Sequence, residues 1–438
     1  MDEADDAFVI GMWHLGCVAA ACLAKLGFRI TCFDSDTRVI NGLEKGKFPV
    51  HEPGLPDLFK EGVSTNKIQF SRNPEMELSG SSIVYITYDT PVDENDQIDL
   101  TPIHESIDFL MPLLSERSIL LISSQMPVGM SDGIVQRLRR SKKNNEVCYF
   151  PENLRLGDAI KGFLTPDRMI FGLSSHRIKN DIERLFSGIP AKKVFMDLKG
   201  AEMTKHALNS YLATNISFSS ELSDLCEAAG VNAITVMNAV KLDKRVGEHA
   251  PINPGLGFGG GHLARDVNVL RGLGRARGIK TGLLDAVLSV NLHRMEYISN
   301  KLVKIFGSLE NKKITFLGLT YKANTSTLRR SLALQSIDQI KTKKTCIIAY
   351  DPMIKGDIPG YPHVKVCNTV KEAVNGSDAL VITTPWEEFK TLDYLDITKD
   401  MRSPVIIDTA NILEPTLFEN TDIQYHGIGV SYESRSLK

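Results

Sequence analysis

The 438-residue sequence has no excess of charge. Lys and Arg together number 51 against 53 Asp and Glu, and the basic residues are scattered, with no run denser than Arg139-Arg140 to Lys142-Lys143. A nucleic-acid surface needs a basic face, so nucleic acid is excluded as a partner. No apolar run approaches the roughly 20 residues that cross a bilayer, so no membrane partner is expected either. The N-terminus, MDEADDAFVI, is acidic where a secretion signal is basic. The seven cysteines (Cys17, Cys22, Cys32, Cys148, Cys226, Cys346 and Cys367) are odd in number, sit in apolar segments and contain no CxxC pair. That pattern argues against disulfides and against a zinc site. We therefore expect a cytoplasmic protein in a reducing compartment, with no metal. What is present, 42% hydrophobic and 24% charged residues, suits a globular chain of two or three domains.

From Ala7 to Asp34 the pattern runs apolar strand, glycine turn, Ala-rich helix, Gly27 and a second strand ending in an acid, which is a βαβ unit. Short apolar runs at Ile83 to Thr87, Ser118 to Ser123, Val147 to Tyr149 and Met169 to Gly172, spaced by helical patterns, extend it into one mostly parallel sheet. Strand signals vanish from Gly200 to about Gly307, where apolar residues recur at helical spacing. One stretch, Pro251 to Gly261, is too rich in glycine for a helix and too apolar for a solvated linker, so a loop folded against something is expected. The opening pattern returns at KKITFLGLTYK and Cys346 to Asp351. The expected fold is α/β, with two Rossmann-like doubly wound domains joined by a central helical region. Its boundaries are 1–197 for the first α/β domain, 198–308 for the helical linker, and 309–438 for the second α/β domain.

The first turn reads Gly11-Met12-Trp13-His14-Leu15-Gly16, with Asp34 closing the second strand. In a dinucleotide fold the first glycine permits the tight turn, the last lets helix pack on strand, and the helix N-terminus faces the pyrophosphate. The acid binds the ribose hydroxyls, which favours NAD over NADP. Trp13 stands where the middle glycine would let the backbone close on the pyrophosphate.

Further segments follow in order: Asn41-Gly42 to Glu52-Pro53-Gly54-Leu55; Thr90-Pro91; Ser124 with Pro127-Val128-Gly129; Pro151-Glu152-Asn153-Leu154-Arg155; Glu202 to Asn209; Leu212 to Glu221; Asp243 to Gly247; Gly257-Phe258-Gly259-Gly260; Leu317-Gly318-Leu319 to Arg329; and Asp351-Pro352. Together they resemble the UDP-glucose/GDP-mannose dehydrogenase family over nearly the whole chain. The resemblance implies an NAD-dependent dehydrogenase acting on a nucleotide sugar, and a homodimer through the helical centre. It implies catalytic roles for Lys205 and Asn209, one turn apart on a helix, for Glu152 in acid/base work, and for Asp266. Cofactor contacts are implied for Gly11, Trp13, His14, Leu15, Gly16, Asp34, Thr90, Pro91, Ser124, Arg265 and Arg329. Substrate contacts are implied for Asn153, Leu154, Arg155, Phe258, Gly259, Tyr321 and Lys322, and for Arg245, the last reaching across the dimer.

The departures bear on chemistry. Where the family has a cysteine after its glycine loop, this chain has His262, and the following lysine is Arg265. The family's thiolate traps an aldehyde so that a second oxidation can follow; imidazole gives no comparably persistent acyl intermediate. Gln125 and Ala410 replace a threonine that positions water and an arginine that contacts the nucleotide sugar. We expect one two-electron oxidation of an alcohol, with His262 or Lys205 as base. The substrate is a UDP-sugar-like compound or another phosphorylated or acidic hydroxy compound. The alternative is a catalytically silent relative that binds a nucleotide or nucleotide sugar.

Overall fold

Runs such as Ile83-Val84-Tyr85-Ile86 and Ile119-Leu120-Leu121-Ile122 are buried at every position, as strands covered by helices on both faces must be. In the computed structural model, which describes residues 6–78, 80–91, 98–151, 154–340 and 344–430, such runs build two sheets. The chain divides into two compact units, Met1–Ala207 and Leu208–Lys438.

The first unit holds β1 (Asp6–Ile10), β2 (Arg29–Phe33), β3 (Ile68–Phe70), β4 (Ile83–Ile86), β5 (Ile119–Ile122), β6 (Val147–Tyr149), β7 (Arg168–Leu173) and β8 (Lys192–Asp197). Their order is β3-β2-β1-β4-β5-β6-β7-β8, parallel except for β6 against β7. Alternation along each strand sorts side chains into two cores. Phe8, Ile10, Val84, Ile86, Leu120 and Ile122 pack on one face. Ala7, Val9, Ile83, Tyr85, Ile119 and Leu121 pack on the other, against Cys17 to Ala24 of the first helix, His14–Lys25. Small side chains along that helix let it lie close on the sheet.

The second unit holds β9 (Lys313–Leu317), β10 (Cys346–Tyr350), β11 (Val364–Val366), β12 (Ala379–Ile382), β13 (Val405–Asp408) and β14 (Gln424–Gly427), in the order β11-β10-β9-β12-β13-β14 and parallel throughout. In both sheets the chain winds outward from a central strand and then returns across it, which is the doubly wound Rossmann order expected. Between β8 and β9 the described residues form helices and no strand, the longest being Leu198–Ala228 with 31 residues.

The registers place the ends of neighbouring strands level. Ile10 pairs with Phe33, so Gly11 and Asp34 leave the first sheet side by side. Leu317 pairs with Tyr350, so Gly318 and Asp351 do the same in the second. In each case the turn's amides donate to the acid: Met12 N–H to Asp34 at 2.7 Å, and Leu319 N–H to Asp351 at 2.7 Å. The two halves share a local device as well as a strand order.

His426 in β14 is an acid-labile point. Its Nε2 is buried with no hydrogen-bond partner among the described residues, and burial together with Lys301 pushes its pKa down to about 4. Between that value and the unfolded value near 6.5 the unfolded chain binds the extra proton, so stability is present above the window and is lost as pH falls through it. Replacing His426 by Leu is expected to leave the urea midpoint at pH 8 nearly unchanged. At pH 5 it should raise stability over the parent by roughly 1–2 kcal/mol, after allowance for partial exposure.

Candidate active site

The turn after β1 shows which of its residues the fold itself demands. Gly11 has φ +99°, and a Cβ there would lie 2.7 Å from the Tyr88 backbone nitrogen. A Cβ on Gly16 would lie 2.1 Å from the Gly11 carbonyl oxygen and 2.7 Å from Thr87 Oγ1. Trp13, between them, has φ −84°, needs no glycine, and leaves its side chain 48% exposed. The two glycines that survive in the motif are thus the two that chain packing requires. The lost one would serve only the close approach of a ligand.

His14 and Leu15 open the first helix, whose N-terminus carries no side-chain cap. A helix start of this kind stabilises an anion brought to its first-turn amides. His14 Nε2 meets Glu52 at 2.8 Å, and Glu52, 2% exposed, also accepts the amides of Gly157 and Ala159 at 2.8 Å. Asp34 is 8% exposed and accepts Met12 N–H and Asp36 N–H; burial raises its pKa while those two donors lower it. Thr90 is buried and Pro91 exposed. Ser124 Oγ is buried without a hydrogen-bond partner among the described residues, a donor-acceptor in want of a ligand. An uncapped helix start, a buried acid beside the turn and this orphaned hydroxyl fit a dinucleotide. Leu154 is half-buried and Arg155 exposed. Glu152 and Asn153 lie outside the described residues.

The start of the long helix is fastened to the loop that carries Ser124. Glu202 accepts Gly129 N–H at 2.5 Å, and both the amide and the hydroxyl of Ser131 at 2.8 and 2.7 Å; burial raises its pKa and these donors oppose the rise. His206 Nε2 meets the Met126 carbonyl at 2.9 Å. The Lys205 side chain, on the same helical stretch, is half-buried.

In the second unit the glycine loop packs as expected of a folded segment. Asn291 brackets Phe258, accepting its amide at 2.7 Å and donating to its carbonyl at 3.0 Å. Gly259 lies so close to the Arg330 carbonyl that a Cβ would sit 2.7 Å from it, and Gly260 rests on the Tyr321 ring. The loop delivers His262 to the start of the helix Leu263–Ala276, with Asp266 in its first turn. Asp266 is fully buried and accepts the Asn209 amide. Arg265, 3% exposed, places Nε 3.9 Å from Asp266 and Nη2 3.1 Å from His262 Nδ1. Asn209, His262, Arg265 and Asp266 therefore form one cluster. Lys322 and Arg329 are exposed, and Arg245 is bound to its own neighbour Asp243 at 2.7 Å. Glu52, Glu202 and Asn291 have no role in the motif reading; the first two fall inside quoted motifs, whereas Asn291 carries no sequence signal.

The NAD-binding domain of the UDP-glucose/GDP-mannose dehydrogenase family matches residues 6–189, its central domain residues 199–293, and its UDP-binding domain residues 315–415. The chain belongs to this family. The UDP-glucose 6-dehydrogenase of Rickettsia bellii is 31% identical over 96% of this chain and 98% of its own, and UDP-glucose 6-dehydrogenase TuaD of Bacillus subtilis is 30% identical over 96% and 92%. Among solved structures, a UDP-glucose dehydrogenase of Pyrobaculum islandicum superposes with a TM-score of 0.86 at 26% identity, covering 98% of both chains. A UDP-D-ManNAc dehydrogenase of Pyrococcus horikoshii gives 0.86 at 25%, covering 97% of this chain and 99% of its own. As a nucleotide-sugar dehydrogenase of this family, the protein is an NAD-dependent oxidoreductase acting on CH–OH groups.

NAD, when bound, supplies the two-electron acceptor for the hydrogen on the alcohol carbon. Gly11, the first-turn amides of the helix that begins at His14, Asp34 and Ser124 are the residues fitted to hold it. Gly16→Ala is expected to destabilise the fold by roughly 3 kcal/mol or more through overpacking, read as a fall in thermal midpoint. Trp13→Gly should change stability by less than about 1 kcal/mol and tighten NAD binding, measured by titration calorimetry.

Proposed function

We propose that this family member oxidises one alcohol of a UDP-sugar to a carbonyl in a single two-electron step and releases it without a thioester. The observation that carries this reading is His262, held by Arg265 at the edge of the cluster with Asp266 and Asn209, at the position where the family resemblance places a thiol. No cysteine neighbours His262 along the chain, since none lies between Cys226 and Cys346 in the sequence. In the second unit Cys226 and Cys367 are buried in apolar clusters, and Cys346 begins β10.

With NAD as the two-electron acceptor, the chain's own groups suffice to position the alcohol and take its proton. Lys205 in its uncharged form takes the hydroxyl proton. Asp266, buried as an acceptor, fixes the Asn209 amide, and an amide so fixed presents a constant geometry to a substrate oxygen. An aldehyde or ketone formed there meets no thiolate, so it leaves as such.

The UDP-binding domain and the relatives' named substrates support a UDP-sugar as reactant. A silent nucleotide-sugar binder is the second reading, favoured by the exposed Trp13 at the pyrophosphate turn. Incubation with UDP-glucose, UDP-N-acetylmannosamine and GDP-mannose should yield one NADH per molecule of the accepted sugar, and Lys205→Ala should lower kcat at least 100-fold. Two NADH per sugar would contradict the single step, and no NADH from any of a broad panel would favour the silent reading.

We further propose a homodimer through the long helix. Tyr211, Phe218 and Leu225 are 59%, 53% and 67% exposed and recur every seventh residue, an apolar stripe left bare in the single chain. Sedimentation should give a dimer for the parent and a monomer for Phe218→Glu.

A further inference from the structure

His262 and Arg265 stand one helical turn apart, and their contact settles which form of the imidazole is present. A guanidinium has five N–H donors and no acceptor. Arg265 Nη2 lies 3.1 Å from His262 Nδ1, so Nδ1 is the acceptor and carries no proton. A neutral imidazole then holds its one proton on Nε2. An imidazolium would have no lone pair to offer Arg265 and would forfeit the contact.

Arg265 is not free to swing away and release the ring. It is 3% exposed, and its Nε lies 3.9 Å from the carboxylate of Asp266, itself fully buried and bonded to Asn209. His262, by contrast, is exposed at the start of its helix. The fixed guanidinium therefore sets the state of an accessible ring.

We infer that Arg265 is a positioning residue that locks His262 as its Nε2–H tautomer, so that His262 serves the reaction as a hydrogen-bond donor to the substrate oxygen and as neither base nor nucleophile. The lone pair that a base or nucleophile needs is the one held by Arg265. This rests on the single-step reading above. In that step the C–H electrons leave with their hydrogen to bound NAD, the O–H proton goes to the general base and not to His262, and the C=O bond forms. The Nε2 proton of His262 stays on nitrogen throughout while it stabilises the charge growing on oxygen.

The test begins without substrate. In ligand-free protein labelled with 15N-histidine, the His262 signals are identified by their loss in His262→Gln. The expected spectrum shows Nδ1 unprotonated and Nε2 protonated at pH 7.5, with a mixture of tautomers in Arg265→Met. A protonated Nδ1, or an even mixture in the parent, overturns the inference even if Arg265→Met does not fold. A kinetic arm uses whichever UDP-sugar the NADH assay identifies. Glutamine keeps an N–H near the Nε2 position, so His262→Gln should hold kcat within about tenfold, with the acid limb of the pH profile in place. His262→Ala should lose about 100-fold or more in kcat with little change in KM. Equal losses in the two variants, with the acid limb abolished in both, would make His262 the base and contradict the assignment. Two NADH per sugar would remove the single-step reading and leave the tautomer result standing, so the two failures are distinguishable.

Discussion

Asp266 is a carboxylate with no exposure, and such a group persists only where donors or cations meet it. Here they are the Asn209 amide, from the long helix, and Arg265, from the turn that follows the glycine loop. Its position in the first turn of the helix Leu263–Ala276 adds the favourable field of that terminus. Meeting this one demand fixes the orientation of Asn209, confines Arg265, and through Arg265 fixes His262. The glycine loop is held independently by the clamp of Asn291 on Phe258 and by the close approach of Gly259 to the Arg330 carbonyl. This cluster of the second unit is therefore preorganised by buried polar pairing, with the loop's glycines setting how closely it packs.

The same economy appears at the tips of the two sheets. In each, a glycine with positive φ follows the central strand, φ +99° at Gly11 and +94° at Gly318, and packs against the chain leaving the strand next door, at Tyr88 and at Thr384. In each, the acid that ends the neighbouring strand accepts the turn's amides, and in the second half Asp351 also takes the Trp386 indole N–H at 3.2 Å. In each half a buried acid fastens the turn by its amides. Trp13 departs from the motif at the one place this framework does not constrain.

Much of this was legible in the sequence because it depends on local period and local turns. Short apolar runs such as those ending in Asp34 and Asp351 specify two mostly parallel sheets, and a stretch as glycine-rich as Pro251 to Gly261 has to pack against something. Lys205 and Asn209 show their common helix by spacing alone. What was not legible depends on pairing between distant residues. Glu52 meets amides 105 and 107 residues further on, Glu202 reaches back 73 residues to Gly129, and Asn291 acts on Phe258 across 33. The His262 and Arg265 contact spans only three residues, yet the sequence leaves its meaning open. Treating His262 as a base assumes a free lone pair, and only the folded chain brings Arg265 against the Nδ1 side of the ring.

On the proposed reading, the thiol of the family resemblance gives way to a donor held in place by Arg265, beside Asn209 and Asp266 bound to each other. On the single-step proposal, oxidation stops at the carbonyl. The mass of the UDP-sugar product, captured with hydroxylamine during turnover, tests this most directly. The account predicts an oxime of a product lighter than the substrate by two hydrogens. A product that resists capture and has gained one oxygen while losing two hydrogens would be the acid, and would contradict it.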